Sequence, residues 1–432
     1  MWSAWAILLR PLSGAAPDAL GQGIGTKPSL WEASSLFEDQ RWHSRLGRCA
    51  FRARCGVSAP RGLLVGEERL HDLVSAARAQ GHIRDEQLSD WHYQRLVHPF
   101  RTLPAGTVVF GRTVVYGYPK IGRIARLDTG LQAQFLHPFW VEEKVDGYNV
   151  RVFEHAGEVL ALTRRGYICP FTTDRIHDLL DMRLLAVHPE LVLCAEVAGP
   201  ENPYNRGSPP YVTEDIRLFA FDLMQKNGRG FLPHREKARL LEEYGVPQVT
   251  QYGRYHRQDR ERLALLAREL DHTGREGMVL KEDSARDRRA KYVTGRINLE
   301  DLRVGSTAIK QLPAEYFTHR ILRLALFLEE HQIERTPALY HELGEVLIEG
   351  ALEAVGRWRR EGKVADRFRC RFRRKENAEL LLGALYRLLG KGHVQQQRLE
   401  PEGEFYVLEF TKVLPKTTGL LGHLLRGGIV FD

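Results

Sequence analysis

The chain is expected to fold as an α+β protein whose central part is made of antiparallel sheets with inserted helices. Three observations carry that expectation. From about residue 135 to 305, β-branched runs such as VLALTRR, LVLCAEVAG, IRLFAFDLM and EGMVLKE are interspersed with the helical stretches TDRIHDLLDMRLLAVH and REKARLLEEYG; short apolar runs of this kind read as strands. Strands and helices do not alternate one for one, which disfavours a doubly wound parallel sheet. Finally, neither G-x-G-x-x-G nor a Walker-type phosphate loop occurs, so any nucleotide must be held in another way.

Taken in order, residues 1–62 show no steady period and are rich in Gly, Ser, Ala, Pro and Arg, the composition of a weakly ordered extension. Residues 63–125 form a small α/β leading module. In it EERLHDLVSAARAQGHIR has helical spacing and GTVVFGRTVVYGYPKIGRIARL reads as short strands punctuated by glycine. Residues 126–305 make the sheet-rich domain. The amphipathic stretches EYFTHRILRLALFLEEHQ and LYHELGEVLIEGALEAVGRW then define a helical domain over 306–366, whose apolar faces suit an internal core or a subunit interface. RFRCRFRR, AELLLGALYRLLGKG and EFYVLEFTKV give strand, helix and strand in a small α+β domain over 367–432.

A chain of 432 residues exceeds one ordinary core and implies two to four domains. Its net charge of +8 makes polyanions plausible partners. The five cysteines (Cys49, Cys55, Cys169, Cys194, Cys370) form no C-x-x-C pair, so neither a zinc site nor a disulfide framework is indicated, and a cytoplasmic location is expected. No apolar run reaches membrane-spanning length. The start MWSAWAILLR has no basic residue before its apolar run, so a secretory leader is not expected.

The centre of the chain is VEEKVDGYNVR, residues 141–151, between strand-like flanks. Lys144 then stands at a turn, and Gly147 lets the backbone approach a ligand closely. A nucleophilic lysine needs its pKa of about 10.4 lowered by burial or by neighbouring cations. Glu142, Glu143 and Asp146 push the other way, so taken alone this is either a catalytic amine or a surface lysine among acids.

Four later stretches bear on that choice. In LTRRGYICPFTTDR, Arg164 is either a ribose or phosphate ligand or a solvated turn residue. In LCAEVAGPEN, Glu196 leaves an apolar strand just before Gly199, where it accepts from a hydroxyl or holds metal-bound water, or is simply a satisfied strand end. LFAFDLM places Phe219 and Phe221 on one sheet face by alternation, to stack on a purine or to fill a core. REGMVLKEDSARDRRAKYV carries Glu276, Lys281 and Lys291. The lysines either neutralise triphosphate and depress the pKa of Lys144 or are ordinary solvated cations.

In order and spacing, EKVDGYNVR, TRRG, AEVAG, FAFD, EGMVLK and AKYV resemble motifs I, Ia, III, IIIa, IV and V of covalent nucleotidyltransferases. VEEKVDGYNVRV, CPFTTDRI, EVAGPENPY, PPYVTEDI, EEYGVPQV and AKYVT look like the archaeal-type homodimeric ATP-dependent RNA ligases in particular, from about residue 64 to the C-terminus. The resemblance implies an ATP-grasp-like nucleotidyltransferase core, a helical dimerisation module, and ATP with Mg2+ or Mn2+ as cofactors. It also implies a three-step reaction: Lys144 attacks the α-phosphate of ATP, AMP passes to an RNA 5′-phosphate, and a 3′-hydroxyl displaces AMP. By motif position Lys144 is the nucleophile, and Glu142 and Glu143 lie beside the adenine pocket, where backbone contacts are expected. Asp146, Gly147, Asn149 and Arg151 complete motif I. Arg164 and Glu196 face the ribose, Phe221 stacks on adenine, Glu276 is near the metal, and Lys281 and Lys291 contact the α-phosphate.

Two departures narrow the family. The position five after the lysine, arginine in DNA ligases and capping enzymes, is Asn149, and no basic motif VI is found. The alternatives are a DNA ligase, a 5′-end adenylating enzyme, or a non-catalytic RNA-binding protein on the same fold. For RNA, the run RWRREGKVADRFRCRFRRK interleaves basic residues with Trp358, Phe368 and Phe372, as single-strand binders do, or is a solvated basic strand. A second group, Arg286, Arg288, Arg289 and Arg296, lies close to AKYV.

Overall fold

A computed structural model describes residues 67–430; the expected extension over 1–62, with Cys49 and Cys55, lies outside the described residues. The leading module opens with α1 (Glu67–Ala79), which ends where Gly81 takes a left-handed φ of +74°. A meander follows: β1 (Ile83–Leu88), β2 (Trp91–Leu96), β3 (Val108–Phe110) and β4 (Thr113–Val115), each antiparallel to the next. The helical reading of 67–84 therefore runs too far. His82, Ile83 and Arg84 already turn into a strand that the polar sequence IRDEQL disguises.

After β5 (Gly122–Arg123) and α2 (Leu127–Gln134) come the two central sheets. Their elements are β6 (Phe139–Lys144), β7 (Tyr148–His155), β8 (Glu158–Thr163), α3 (Pro170–Leu179), α4 (Arg183–Val187), β9 (Leu191–Ala198), β10 (Arg217–Gln225), α5 (His234–Glu243), β11 (Gln251–Tyr255), α6 (Arg260–His272), β12 (Gly277–Glu282) and β13 (Arg289–Val293). One sheet has the order β11-β6-β12-β13-β5 and the other β10-β9-β7-β8. Every pairing is antiparallel except β13 with β5, as the α+β reading expects. Because β6 and β7 belong to different sheets, the chain crosses from one to the other at Val145, Asp146 and Gly147.

The four-stranded sheet is covered on both sides. Val150, Val152, Leu193, Ala195 and Val197 pack with α3, α4 and α5, while Phe153, Leu160, Leu162, Val192 and Cys194 pack on the leading module. The five-stranded sheet buries Phe139, Val141, Met278, Leu280 and Tyr292 against α2 and α6.

Next come α7 (Gly295–Thr307), α8 (Ala314–Glu330) and α9 (Pro337–Glu361). The 25-residue α9 is held at both ends. Thr336 accepts from the Leu339 amide, Pro337 stands where no N–H is needed, and Gly362 terminates the helix at φ +68°. α7 runs through residue 305, so the helical unit begins before the sequence change that marks it.

The chain ends with β14 (Ala365–Phe372), α10 (Lys375–Leu389), β15 (Val394–Glu402), β16 (Phe405–Val413) and α11 (Pro415–Leu424), the strands in order β14-β16-β15. Phe368, Phe372, Leu381 and Phe410 of this unit share one continuous core with the four-stranded sheet. That corrects the stacking reading: Phe372 is wholly buried and Phe368 nearly so. No helix among the described residues is long and apolar enough to cross a membrane.

Candidate active site

Strand register assembles one face of the five-stranded sheet. Lys144 lies opposite Gly277, Glu142 opposite Val279 and Trp140 opposite Lys281. On the far side of β12, Lys291 lies opposite Val279 and Arg289 opposite Lys281. Directly opposed residues share a face, so Lys144, Glu142, Lys281, Lys291 and Arg289 project the same way, while the alternate residues form the core behind. In the other sheet Asn149, Glu196 and Phe219 form one cross-strand row.

The Lys144 amine is 2.5 Å from Glu276 Oε1. Glu276 immediately precedes Gly277, which only glycine can occupy: its φ is +147° and a Cβ would stand 2.2 Å from the Tyr292 carbonyl oxygen. Gly147 is equally confined, with the Val197 carbonyl oxygen 2.5 Å from where a Cβ would be. Burial pushes the Lys144 amine down, but Glu276, Glu196 and Asp146 push it up and prevail, so its pKa stands above the ordinary lysine value. Burial and Glu276 push Asp146 up to about 8. Burial, opposed by Lys144 and reinforced by Glu276, likewise pushes Glu196 up to about 8. The expected lowering of the Lys144 pKa by Lys281 and Lys291 is thus absent from these protein groups.

Further along the same face lies a buried charge network. Glu142 is paired with Lys237 and, at 2.5 Å, with Lys281; Lys281 also reaches Asp222 at 3.0 Å, and Arg289 reaches Asp222 at 2.6 Å. Lys281 and Lys237 donate to the Phe221 carbonyl as well. Lys281 is four positions along β12 from the partner of Lys144, about 13 Å at the usual strand rise, so the structure does not bring its ammonium to the nucleophile. Lys291 is only two positions away on that face. Lys237 was not singled out in the sequence. It occupies the same helical stripe as Leu240 and Leu241, both buried, so periodicity contained the signal.

One other site residue, Arg151, sits elsewhere than expected, and for Glu143 only backbone contacts are expected. The Glu143 side chain is on the opposite face, accepting from Tyr211 at 2.7 Å and Thr250 at 2.5 Å and paired with Arg275 at 2.8 Å. Arg151 is fully buried and donates to the carbonyls of Tyr116, Gly106 and Thr163, which fastens the leading module to β7 and β8. Strict alternation fails in β10, where a bulge between Ala220 and Asp222 carries Phe221. Phe221 and Phe219 nevertheless both flank a small cluster of Val145, Ala198 and Val249 beside the Lys144 turn. Arg164 donates to the Pro119 carbonyl at 3.4 Å.

Among the described residues no group of three His, Cys, Asp or Glu side chains forms a ready metal cage. The site still fits a hard cation. Its donors are oxygens, and Glu276 Oε2 and Asn149 Oδ1 are buried without a hydrogen-bond partner. Magnesium and manganese commonly take one or two carboxylates and complete their shell with substrate phosphates and water.

Comparison with known proteins gives the family. The RNA ligase family profile matches residues 137–293, and that of the C-terminal region of the Pab1020 ligase matches 305–428. An uncharacterized protein of Methanocaldococcus jannaschii, MJ0414, is 30% identical over 298 residues, 66% of this chain and 74% of its own length. A solved structure from Aquifex aeolicus, provisionally named an ATP-dependent DNA ligase, is 48% identical and superposes with a TM-score of 0.79 over 84% of this chain and all of that one. An archaeal ATP-dependent RNA ligase is 28% identical with a TM-score of 0.76 over the same shares. With its antiparallel nucleotidyltransferase core and its Pab1020-type C-terminal region, the chain belongs to the archaeal-type ATP-dependent RNA ligase family.

Proposed function

We propose that the protein joins RNA 5′-phosphate and 3′-hydroxyl ends through a lysyl-AMP intermediate on Lys144. The observation that carries this reading is the Lys144–Glu276 pair at 2.5 Å, at the turn where the chain passes between the two sheets. In the first step the Lys144 amine loses a proton to one of the surrounding carboxylates and attacks the α-phosphorus of ATP. An N–P bond forms, the bond to the bridging oxygen breaks, and pyrophosphate leaves with that electron pair. AMP then moves to the RNA 5′-phosphate, and a 3′-hydroxyl displaces it. Dividing the reaction this way gives the 5′-phosphate a leaving group that it lacks.

Asn149, Arg164 and Glu196 face the ribose in this reading, and Phe221 with Phe219 covers the base. Lys291 neutralises phosphate charge, and Asp146 and Gly147 shape the turn. Glu276 would hold Mg2+ or Mn2+, which supplies positive charge against the phosphates when bound. The buried network of Glu142, Lys237 and Lys281 stiffens the same face further along the sheet. Free, buried Cys169, Cys194 and Cys370 accord with a cytoplasmic setting. Exposed Ile321, Leu322, Tyr340, Ile348 and Leu352 on α8 and α9 support a homodimer.

Incubation with α-labelled ATP and divalent metal should leave label on the denatured chain, and none on Lys144→Ala. Equal labelling of the two refutes the reading. The name of the Aquifex relative favours a second reading, DNA end sealing. Adding 5′-phosphorylated RNA or DNA separates the two: sealed RNA without sealed DNA supports the first, the converse the second.

A further inference from the structure

The connection between β9 and β10, residues 199–216, touches the nucleophile turn with one side and the C-terminal sheet with the other. On the first side, Asn205 donates through Nδ2 to the Gly147 carbonyl at 3.1 Å. Gly207 lies so close to Asp146 that a Cβ there would be 2.0 Å from its carboxylate oxygen. Tyr211 donates to Glu143, next to Lys144. On the second side, Glu201 is paired with Arg369 at 2.6 Å and Arg371 at 2.7 Å. Lys412 donates to the Pro203 carbonyl at 2.6 Å, and Arg206 is paired with Asp366 while donating to Thr307 Oγ1 at 3.2 Å. Buried Asn202 ties the middle together by accepting from the Tyr204 and Asn205 amides. The basic strand β14, read from sequence as an RNA-binding run, thus directs Arg369 and Arg371 at this loop.

We infer that Asn205 and Arg206 are positioning residues for Lys144, and that the C-terminal sheet and the end of α7 act on the chemistry through them. Arg206 is the junction: its guanidinium spans Asp366 of β14 and Thr307 of α7, and the neighbouring peptide carries Asn205 to the backbone of the turn. Neither residue needs to touch ATP. Their loss should therefore let the Lys144 turn drift from its attacking geometry while nucleotide binding stays nearly as it was. This inference rests on Lys144 being the adenylylated residue.

The test is label transfer from α-labelled ATP to the full chain at varied ATP concentration, with unfolding temperature measured alongside. Asn205→Ala and Arg206→Ala should lower the maximal rate by about 10- to 100-fold and leave the half-saturating ATP within about twofold. If Arg206→Ala does not fold, Arg206→Lys, which keeps the charge but not the two-pronged reach, should give an intermediate loss. Single reversals Arg206→Asp and Asp366→Arg should each be impaired, and combining them should recover much of the rate. Lys375→Ala, in an exposed pair on α10, should label like the wild type. Wild-type rates in the Asn205 and Arg206 variants overturn the proposal, as do losses that merely follow unfolding temperature or a failure of the combined reversal to recover. A wild-type chain that takes no label, or one matched by Lys144→Ala, instead overturns the lysyl-AMP reading and this inference with it.

Discussion

Replacing Arg151 with methionine should weaken the fold by about 3 kcal/mol, a figure that follows from the contacts of its guanidinium. It donates to three carbonyl oxygens, at 2.5 Å to Tyr116 and 2.9 Å to Gly106 and Thr163. Hydrogen bonds from a charged donor contribute about 2 kcal/mol each, or about 6 kcal/mol together. Against them stands the cost of burying a cation with no carboxylate partner. Burial brings the Arg151 pKa down to about 10 and leaves its Nε without a partner, costs that offset about half of that sum. The difference should appear as a fall of roughly 6–12 °C in the transition of an unfolding unit of this size. Differential scanning calorimetry measures it, and AMP transfer below the transition tells whether the residue also serves the chemistry. An unchanged transition with transfer abolished would refute the structural assignment and return Arg151 to the nucleotide.

Other outcomes follow from the same structure. Lys237→Ala leaves Glu142 with Lys281 as its remaining ion-pair partner and should cost about 3–5 kcal/mol in urea unfolding; joint replacement of Glu142 and Lys237 by Gln and Met should cost less. His331, buried against Tyr292 and Phe327, is pushed down to about 4 by burial and by Arg268. The unfolded chain therefore binds the extra proton between about pH 4 and 6.5, and stability should rise with pH across that window by up to about 3 kcal/mol. His331→Gln should flatten the rise. Glu276→Gln should raise the Mg2+ or Mn2+ concentration for half-maximal AMP transfer, read by metal titration; an unmoved midpoint counts against its metal role. Leu322→Asp with Ile348→Asp should give a monomer in sedimentation where the parent chain is a dimer, and a monomeric parent removes the dimer proposal.

What the sequence made legible was chemistry placed by short-range rules. EKVDGYNVR and EGMVLK each combine a strand with a glycine at its end, and register brings Lys144 opposite Gly277 as a consequence. Less legible were side chains whose partners are distant in sequence. Arg151 follows motif I by position, yet its partners lie in the leading module. Lys281 ends the right strand but points to Asp222, which FAFD hides beside the bulge that no alternation rule foresees. In RFRCRFRR, charge density suggests a ligand, whereas Glu201 and Asp178 neutralise Arg369, Arg371 and Arg373 within the chain. The polar residues of IRDEQL concealed β1 because a small sheet with one solvated face needs few apolar side chains.

The order of strands in the sheet that carries Lys144 has a consequence for synthesis. β6 lies between β11 and β12, and the second of these leaves the ribosome about 140 residues after Lys144, some 7–30 s later at ordinary elongation rates. All four strands of the other sheet emerge by Gln225 and can close beforehand on the leading module. Until β11 emerges both hydrogen-bonding edges of β6 are open, and one stays open until β12 follows, the condition under which nascent strands pair with the wrong chain. The charged side chains of Glu142, Glu143 and Lys144 sit on that waiting strand, and charge on an open edge disfavours pairing with another chain.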